Sequence, residues 1–347
     1  MIIAIGNAPS SGSTFLADLL DSLPFAVCGP EIGLFSSIKY FTEFQKIKQD
    51  YRLTSKSPTI YLNRQRLLTE DLWAYGIDDP ITQSLYNDSD SFVQFCNKLF
   101  TAFASFRKKE CKLFIEKTPQ NIHCARKFLD TFEDGFFLHI VRNPLFVYKS
   151  LIRRKFPPYI AANTWLIDVS QAYLLRKHSR FIEVKYETLA NQPFDTISAV
   201  LRKIGINCSP NNIENLYKKN WYRKKFTKKI NSWEFNRYGT LGNANKKITT
   251  KEDVKALNYM FKTKIFKRYA QLFDLEALGF NDLVEHYGYR FNEINSQVKL
   301  SKSKTIFDYH SYIRLFRKFL GDLKFNDCRL SDFIAYLRPV GMQKCVE

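Results

Sequence analysis

The sequence contains no uninterrupted apolar run of the roughly 18 residues that a membrane-spanning helix requires. Its first residues also lack a basic segment followed by an apolar stretch and a cleavage site, which is the pattern of a secretory signal. With 347 residues, the chain is long enough to bury a substantial core. We therefore expect a soluble, cytoplasmic protein.

Cysteine patterns that would indicate disulfides or zinc are also missing. The seven cysteines are scattered, odd in number and never spaced as C-x-x-C. Such an arrangement suits reduced thiols better than a disulfide framework or a zinc site. The sequence therefore gives no support for a bound metal.

Acidic residues are too few to balance the basic ones, and the formal net charge is +19. This excess indicates anionic partners, such as a nucleotide, an acidic glycan, nucleic acid or lipid head groups. Much of it lies in a basic block at residues 218–229, followed by Lys246 and Lys247. A solvated helix face explains such a block equally well. The chain shows no helix-turn-helix, zinc-finger or aromatic RNA-binding signature, so we expect no specific nucleic-acid partner.

Short apolar segments alternate with helical patterns along the first two thirds of the chain. This alternation predicts an α/β fold with a doubly wound sheet of about five parallel strands flanked by helices. Residues 35–110 are mostly helical in pattern, and we expect them to build the acceptor wall. We assign residues 1–295 to this domain and 296–347 to a basic helical extension. The predicted strands are residues 2–5, 25–28, 113–115, 136–141 and 181–184.

The first predicted strand runs into a phosphate-binding loop without its lysine. Nucleotide triphosphatases have G-x-x-x-x-G-K-[ST] here, whereas Gly6 and Gly12 stand one residue further apart and Ser13 replaces the lysine. Small residues before a helix still let backbone N–H groups surround an anion. An ordinary capped strand-turn-helix is the alternative. The candidate phosphate-binding residues are Pro9, Ser10, Ser11, Gly12, Ser13 and Thr14.

Four further polar residues follow the other predicted strands: Glu31, Lys117, Arg142 and Tyr186. Ligands of parallel sheets bind at the carboxyl ends of the strands, so we expect these residues and the loop to share one crevice. Arg142 can place two N–H donors on a phosphate, and Ser150, two helical turns later, can face the same anion. A surface arginine near a helix-interior serine is the alternative.

Three blocks of the sequence resemble the sulfotransferases that use 3′-phosphoadenosine-5′-phosphosulfate (PAPS). Residues 8–14 are similar to the 5′-phosphosulfate loop of that family, and residues 139–144 with Ser150 are similar to its 3′-phosphate block. Residues 184–189 are similar to its Y-E-x-L segment. The match spans residues 2 to about 205 and is closer to the protein-tyrosine and bacterial glycan branch than to the cytosolic phenol branch.

The resemblance implies transfer of a sulfuryl group from PAPS to a hydroxyl of an acceptor, with no metal. Glu31 is placed like the catalytic base, although Pro30 shifts the register by one residue, and Lys117 is placed like the lysine that stabilises the leaving phosphate. The loop, Arg142, Ser150 and Tyr186 are placed like the residues that bind PAPS. Ser10 stands where the family usually has arginine or lysine. Residues 231–247 are the candidate segment that closes over the nucleotide.

Two other functions stay open at this point. A nucleoside or sugar kinase would use the same sheet, but the chain lacks the loop lysine and a magnesium-binding aspartate after the fourth strand. A basic protein that binds nucleic acid or membranes is the other alternative. The acceptor is expected to be a carbohydrate, an acidic glycan or a glycolipid, with a small-molecule alcohol or a peptide tyrosine as the alternatives. A basic amphipathic helix at residues 312–320 is expected to dock on its own domain, with a membrane surface as the alternative.

Overall fold

The computed structural model describes residues 1–36, 38–49, 72, 75–107, 110–154, 156, 158–219, 251–261, 263, 279–289 and 291. Three of the sequence predictions lie outside these residues and stay predictions. They are the nucleotide-closing segment at 231–247, the basic block beyond Lys219, and the extension at 296–347 with its boundary and its amphipathic helix.

The described residues form two compact units. The first contains Met1–Asn7, Gly12–Val141 and the chain from Arg176. The second contains Ala8–Ser11, Arg142–Leu175 and the described residues from Lys251 onward. The predicted phosphate-binding loop is therefore divided after Ser11, and each part is described with its own unit.

A five-stranded parallel sheet forms the centre of the first unit. The strand order is β2-β3-β1-β4-β5, so the first strand lies in the middle. The five residues of β1 are all buried, because a parallel sheet covered on both faces selects continuous apolar runs. The predicted fold class is confirmed. The strands are β1 Ile2–Gly6, β2 Ala26–Cys28, β3 Leu113–Lys117, β4 Phe136–Val141 and β5 Phe181–Lys185.

The helices are numbered along the chain. They are α1 Ser13–Asp21, α2 Ile38–Thr42, α3 Phe44–Gln49, α4 Asp79–Asn87, α5 Phe92–Phe106, α6 Ala125–Thr131, α7 Pro144–Arg153, α8 Pro158–Leu175, α9 Tyr186–Asn191, α10 Pro193–Lys203, α11 Pro210–Lys219, α12 Lys251–Phe261 and α13 Phe280–His286. A 3-10 helix at Pro119–Cys124 precedes α6. None of the helices within the described ranges is long and apolar enough to span a bilayer.

Helices cover both faces of the sheet. On one face, α1 and α10 bury apolar residues such as Leu16 and Leu201 against β1 and β4. On the other face, the ring of Phe128 on α6 lies 6.0 Å from that of Phe137 on β4. Because both faces are covered, polar groups at this sheet are accessible mainly at the strand ends, where the candidate residues lie.

The second unit is held together by aromatic side chains. Trp165 on α8 is fully buried, and its ring lies 5.2 Å from that of Phe280 on α13. Phe280 in turn lies 4.9 Å from Phe261 on α12. An ion pair of 2.5 Å between Lys149 and Asp253 joins α7 to α12. This packing fixes α7, the helix that follows Arg142.

Gly12 and Gly205 provide a matched test of how tightly the start of α1 is packed. Both have left-handed backbones, with φ of +96° and +82°. A Cβ on Gly12 would stand 2.2 Å from Cδ2 of Tyr186, whereas one on Gly205 would meet nothing within 4 Å. We predict that Gly205→Ala lowers the free energy of unfolding by about 1–2 kcal/mol, the backbone cost alone. Gly12→Ala should lower it clearly more. Equal losses in denaturant titrations would show that the Tyr186 ring moves aside freely.

Candidate active site

An ion pair lies at the carboxyl end of β3. Nζ of Lys117 is 2.6 Å from Oε1 of Glu31 and also donates to Oγ1 of Thr14 on α1 at 3.4 Å. The Lys117 side chain is only 1% exposed, while that of Glu31 is 34% exposed. A buried ammonium group requires such partners, because removing it from water is costly. The first unit therefore brings three of the predicted site residues together.

The chain before Glu31 is held by a buried ion pair and a tyrosine. The guanidinium of Arg107 binds both carboxylate oxygens of Asp21, at 3.2 and 3.0 Å. Asp21 also accepts the backbone N–H of Cys28 at 2.8 Å. The hydroxyl of Tyr75 donates to the carbonyl of Pro30 at 2.8 Å. These contacts fix the three residues that lead into Glu31.

The chain after Glu31 is held by Glu116, the neighbour of Lys117 in β3. Its Oε1 accepts the backbone N–H groups of Ile32 and Gly33, at 3.3 and 3.2 Å. The Thr118 hydroxyl donates to the same oxygen at 2.5 Å, and the side-chain amide of Asn121 donates to Oε2. Sequence reasoning missed this residue, because the two backbone N–H groups that it binds after Glu31 are more than 80 positions away in the chain.

Burial raises the pKa of the Glu116 carboxyl above its usual range. The hydrogen bonds from Thr118, Asn121 and the backbone of Ile32 act in the opposite direction, and the nearby carboxylate of Glu31 raises the pKa further. Burial is the largest of these effects, so the carboxyl keeps its proton to a higher pH than an exposed glutamate does.

The first turn of α1 has no side-chain cap. The carbonyl of Gly12 accepts the N–H groups of Phe15 and Leu16. The first N–H groups of a helix have no partner within the helix and favour an anion, and at α1 they belong to Ser13 and Thr14. The ring of Tyr186, which is buried, lies directly against Gly12. Tyr186, which the sequence analysis placed after the fifth strand, therefore lies against the start of α1.

The other part of the loop lies in the second unit, where Ser10 has a left-handed backbone with φ of +72°. Arg142 donates through Nη1 to the carbonyl of Ser10 at 3.0 Å, and Trp165 holds the carbonyl of Arg142 through its indole N–H at 3.0 Å. Pro9 and Ser11 are buried. The hydroxyl of Ser11 has no hydrogen-bond partner among the described residues. A buried hydroxyl without a partner is costly, which indicates a site for a polar ligand.

Arg154 is a second arginine at this part of the loop, and the sequence analysis did not single it out. Its Nη1 donates to the hydroxyl of Ser10 at 3.2 Å. Its position four residues after Ser150 places both on one helical face, a signal that was available from the sequence. Ser150 itself is half-buried on α7.

The comparison with protein families decides the class of this fold. The profile of the sulfotransferase family matches residues 3–210. The chain belongs to the sulfotransferase family. The predicted PAPS-dependent sulfotransferase is thus confirmed at the level of the family, as is the prediction of a transferase enzyme on a P-loop-like fold. A sequence comparison with curated proteins gives no match.

Several solved structures are similar to this sulfotransferase. The sulfotransferase domain of the Synechococcus PCC 7002 olefin synthase is 18% identical, with 74% of this chain and 92% of that chain covered and a TM-score of 0.49. A sulfotransferase from Alicyclobacillus acidocaldarius is 14% identical, with coverage of 68% and 98% and a TM-score of 0.36. A mouse sulfotransferase complexed with PAP is 11% identical, with coverage of 75% and 83% and a TM-score of 0.37.

The raised pKa of Glu116 gives a pH-dependent prediction for stability. A carboxyl whose pKa is higher in the folded than in the unfolded state stabilises the fold less as the pH rises through that interval. Glutamine does not titrate. We expect the free energy of unfolding of Glu116→Gln to increase relative to that of wild type as the pH rises above the ordinary pKa of a glutamate. The change should be about 1.4 kcal/mol per pKa unit of the shift. A difference that stays constant with pH in urea titrations would contradict it.

Proposed function

We propose that this sulfotransferase moves a sulfuryl group from PAPS to a hydroxyl of a carbohydrate or glycolipid acceptor. The observation that carries the proposal is the Glu31–Lys117 ion pair at the end of β3, with Lys117 also bonded to Thr14 at the start of α1. A carboxylate able to take a proton and an ammonium group able to meet a leaving phosphate therefore lie side by side.

In the proposed reaction Glu31 takes the proton of the acceptor hydroxyl. The acceptor oxygen forms a bond to sulfur as the bond from sulfur to the 5′-phosphate oxygen breaks, and the electron pair leaves with adenosine 3′,5′-bisphosphate (PAP). Negative charge grows on that phosphate oxygen, and the positioned cation of Lys117 stabilises it. Glu31 is the more exposed member of the pair, which supports its role as the group that the acceptor meets.

We assign the 5′-phosphosulfate to residues 9–14. The uncapped first turn of α1 supports this assignment, because its N–H groups, including those of Ser13 and Thr14, favour an anion. The buried hydroxyl of Ser11, which lacks a partner in the described part of the chain, supports it independently. A phosphate oxygen would supply the acceptor that this hydroxyl lacks. Pro9 and Ser10 shape the backbone, and Gly12 permits its left-handed turn.

We assign the 3′-phosphate to Arg142 and Ser150, with Tyr186 beside the nucleotide. The guanidinium of Arg142 can donate two parallel hydrogen bonds to a phosphate, and Trp165 holds its backbone. Arg154, which already reaches the hydroxyl of Ser10, supplies a cation at the loop position where the family that the sequence resembles usually has arginine or lysine.

The charge of the chain supports an anionic acceptor. A net charge of +19 favours acidic glycans and those glycolipids whose head groups are acidic. The cytoplasmic location and the membrane contact of the extension stay predictions.

Nucleotide binding is the first test. We expect PAP to bind in calorimetric titrations, and adenosine 5′-phosphate to bind at least about tenfold more weakly. Arg142→Ala should weaken the binding of PAP by about 10- to 100-fold, because a hydrogen bond to a charged group contributes about 1.5–3 kcal/mol. The same substitution should leave the affinity for adenosine 5′-phosphate nearly unchanged. Arg153→Ala, which removes the same charge from an exposed position on α7, is the control. A preference for ATP would favour the kinase, and no nucleotide binding would favour the basic binding protein.

The variant Glu31→Gln tests the proposed role of Glu31 as the general base. Loss of general-base catalysis costs about 10²- to 10⁴-fold in kcat, whereas the affinity for PAP should change little, since Glu31 is not assigned to the nucleotide. The rate is measured as PAP released from PAPS with chondroitin, galactosylceramide, 4-nitrophenol or a tyrosyl peptide as acceptor. The exposed Glu133→Gln is the control. A variant that loses PAP binding but keeps its turnover would show that Glu31 belongs to the nucleotide site instead.

A further inference from the structure

Glu116 is a buried carboxyl group that the proposed reaction does not use. It is fully buried and precedes Lys117 in β3. Neighbouring side chains of a strand point to opposite faces of the sheet, so Glu116 does not share the direction of Lys117. Each of its oxygens accepts a hydrogen bond. A carboxyl placed only to stabilise the fold would be an expensive choice, since an apolar side chain of similar size is often as stabilising.

The partners of Glu116 lie immediately after Glu31. The backbone N–H groups of Ile32 and Gly33 both point at Oε1. The hydroxyl of Thr118 strengthens this arrangement, because it accepts the N–H of Gly33 at 2.9 Å and donates to Glu116. The end of β3 thus binds two successive peptide groups of the segment that carries Glu31.

Glu31 is consequently held on both sides. Tyr75 fixes the carbonyl of Pro30 before it, and Glu116 fixes the N–H of Ile32 after it. The residue between two fixed peptide groups has little freedom in its backbone dihedral angles. The carboxylate of Glu31 is then directed by its own side-chain rotamer and by Lys117. Reactive groups need such positioning, since a displacement of about 1 Å can cost about 100-fold in rate.

We propose that Glu116 is a positioning residue that acts through Glu31. By binding the N–H groups of Ile32 and Gly33, it holds the carboxylate of Glu31 against Lys117 in the geometry that receives the proton of the acceptor. The inference rests on the proposed role of Glu31 as the base.

A double-mutant cycle tests this role. Glu116→Ala should lower kcat by about 100-fold and change the Kd of PAP by less than about threefold. In a Glu31→Gln background, Glu116→Ala should have almost no further effect on kcat, because residues that act as a unit are not additive. Glu116→Gln retains an oxygen for both N–H groups and should recover kcat to within about tenfold of wild type. Additive losses, or a loss of kcat matched by a loss of PAP affinity, would overturn the proposal.

Hydrogen exchange gives a second readout that does not depend on turnover. Glu116→Ala should speed the exchange of the Ile32 and Gly33 amides, and Glu116→Gln should slow it again. Leu201→Ala, a cavity variant in the core of the same unit, controls for lost stability and should lower the Tm without this local effect. Unchanged exchange at these two amides would overturn the positioning role. A wild-type protein that binds no PAP and releases none from PAPS would instead overturn the proposed function.

Thr118→Val is the milder variant if Glu116→Ala does not fold. It removes the hydroxyl that joins Gly33 to Glu116 and leaves the carboxyl in place. We expect it to lower kcat by about tenfold, again with no further effect in the Glu31→Gln background. A full additional loss in that background would contradict the role of this cluster in holding Glu31.

Discussion

The buried charge of Lys117 is the constraint on which the candidate site depends. An ammonium group with 1% exposure must be paired and hydrogen-bonded to remain charged inside a protein. Glu31 supplies the countercharge and Thr14 an additional acceptor. These two partners come from the loop after β2 and from the start of α1, so one side chain determines where both segments lie.

The strand order explains why Lys117 can reach both segments. With β1 in the middle of the sheet, β3 is its direct neighbour, and Ile5 stands opposite Lys117 in the register. The end of β1 and the end of β3 are therefore adjacent. The carboxyl ends of parallel strands are where such sheets bind ligands, and here Lys117, the last residue of β3, contacts Thr14 in the helix that follows β1.

The fold could be predicted from the sequence because strands that are buried on both faces of a parallel sheet appear as continuous apolar runs. The apolar run of β4 is visible in the sequence, and its predicted bounds agree with the structure. The sequence indicated that Glu31 and Lys117 lie at one edge of the sheet, but it did not indicate that they form an ion pair. Glu116 could not be assigned in the same way, because its function depends on two N–H groups that only the folded chain brings near. The same is true of Arg154, whose contact with Ser10 joins residues 144 positions apart.

The exposure of the charged groups around Glu31 argues that the cluster is built for chemistry. Arg107 and Glu116 are buried, as is Lys117, and the carboxylate of Asp21 is 13% exposed. Burying so many ionisable groups stabilises a fold less than apolar packing would, which supports the functional role proposed for this cluster. Glu31, at 34%, is the most exposed of these five. Asp21 and Glu116 bind backbone N–H groups on either side of Glu31, whose own carboxylate stays partly exposed.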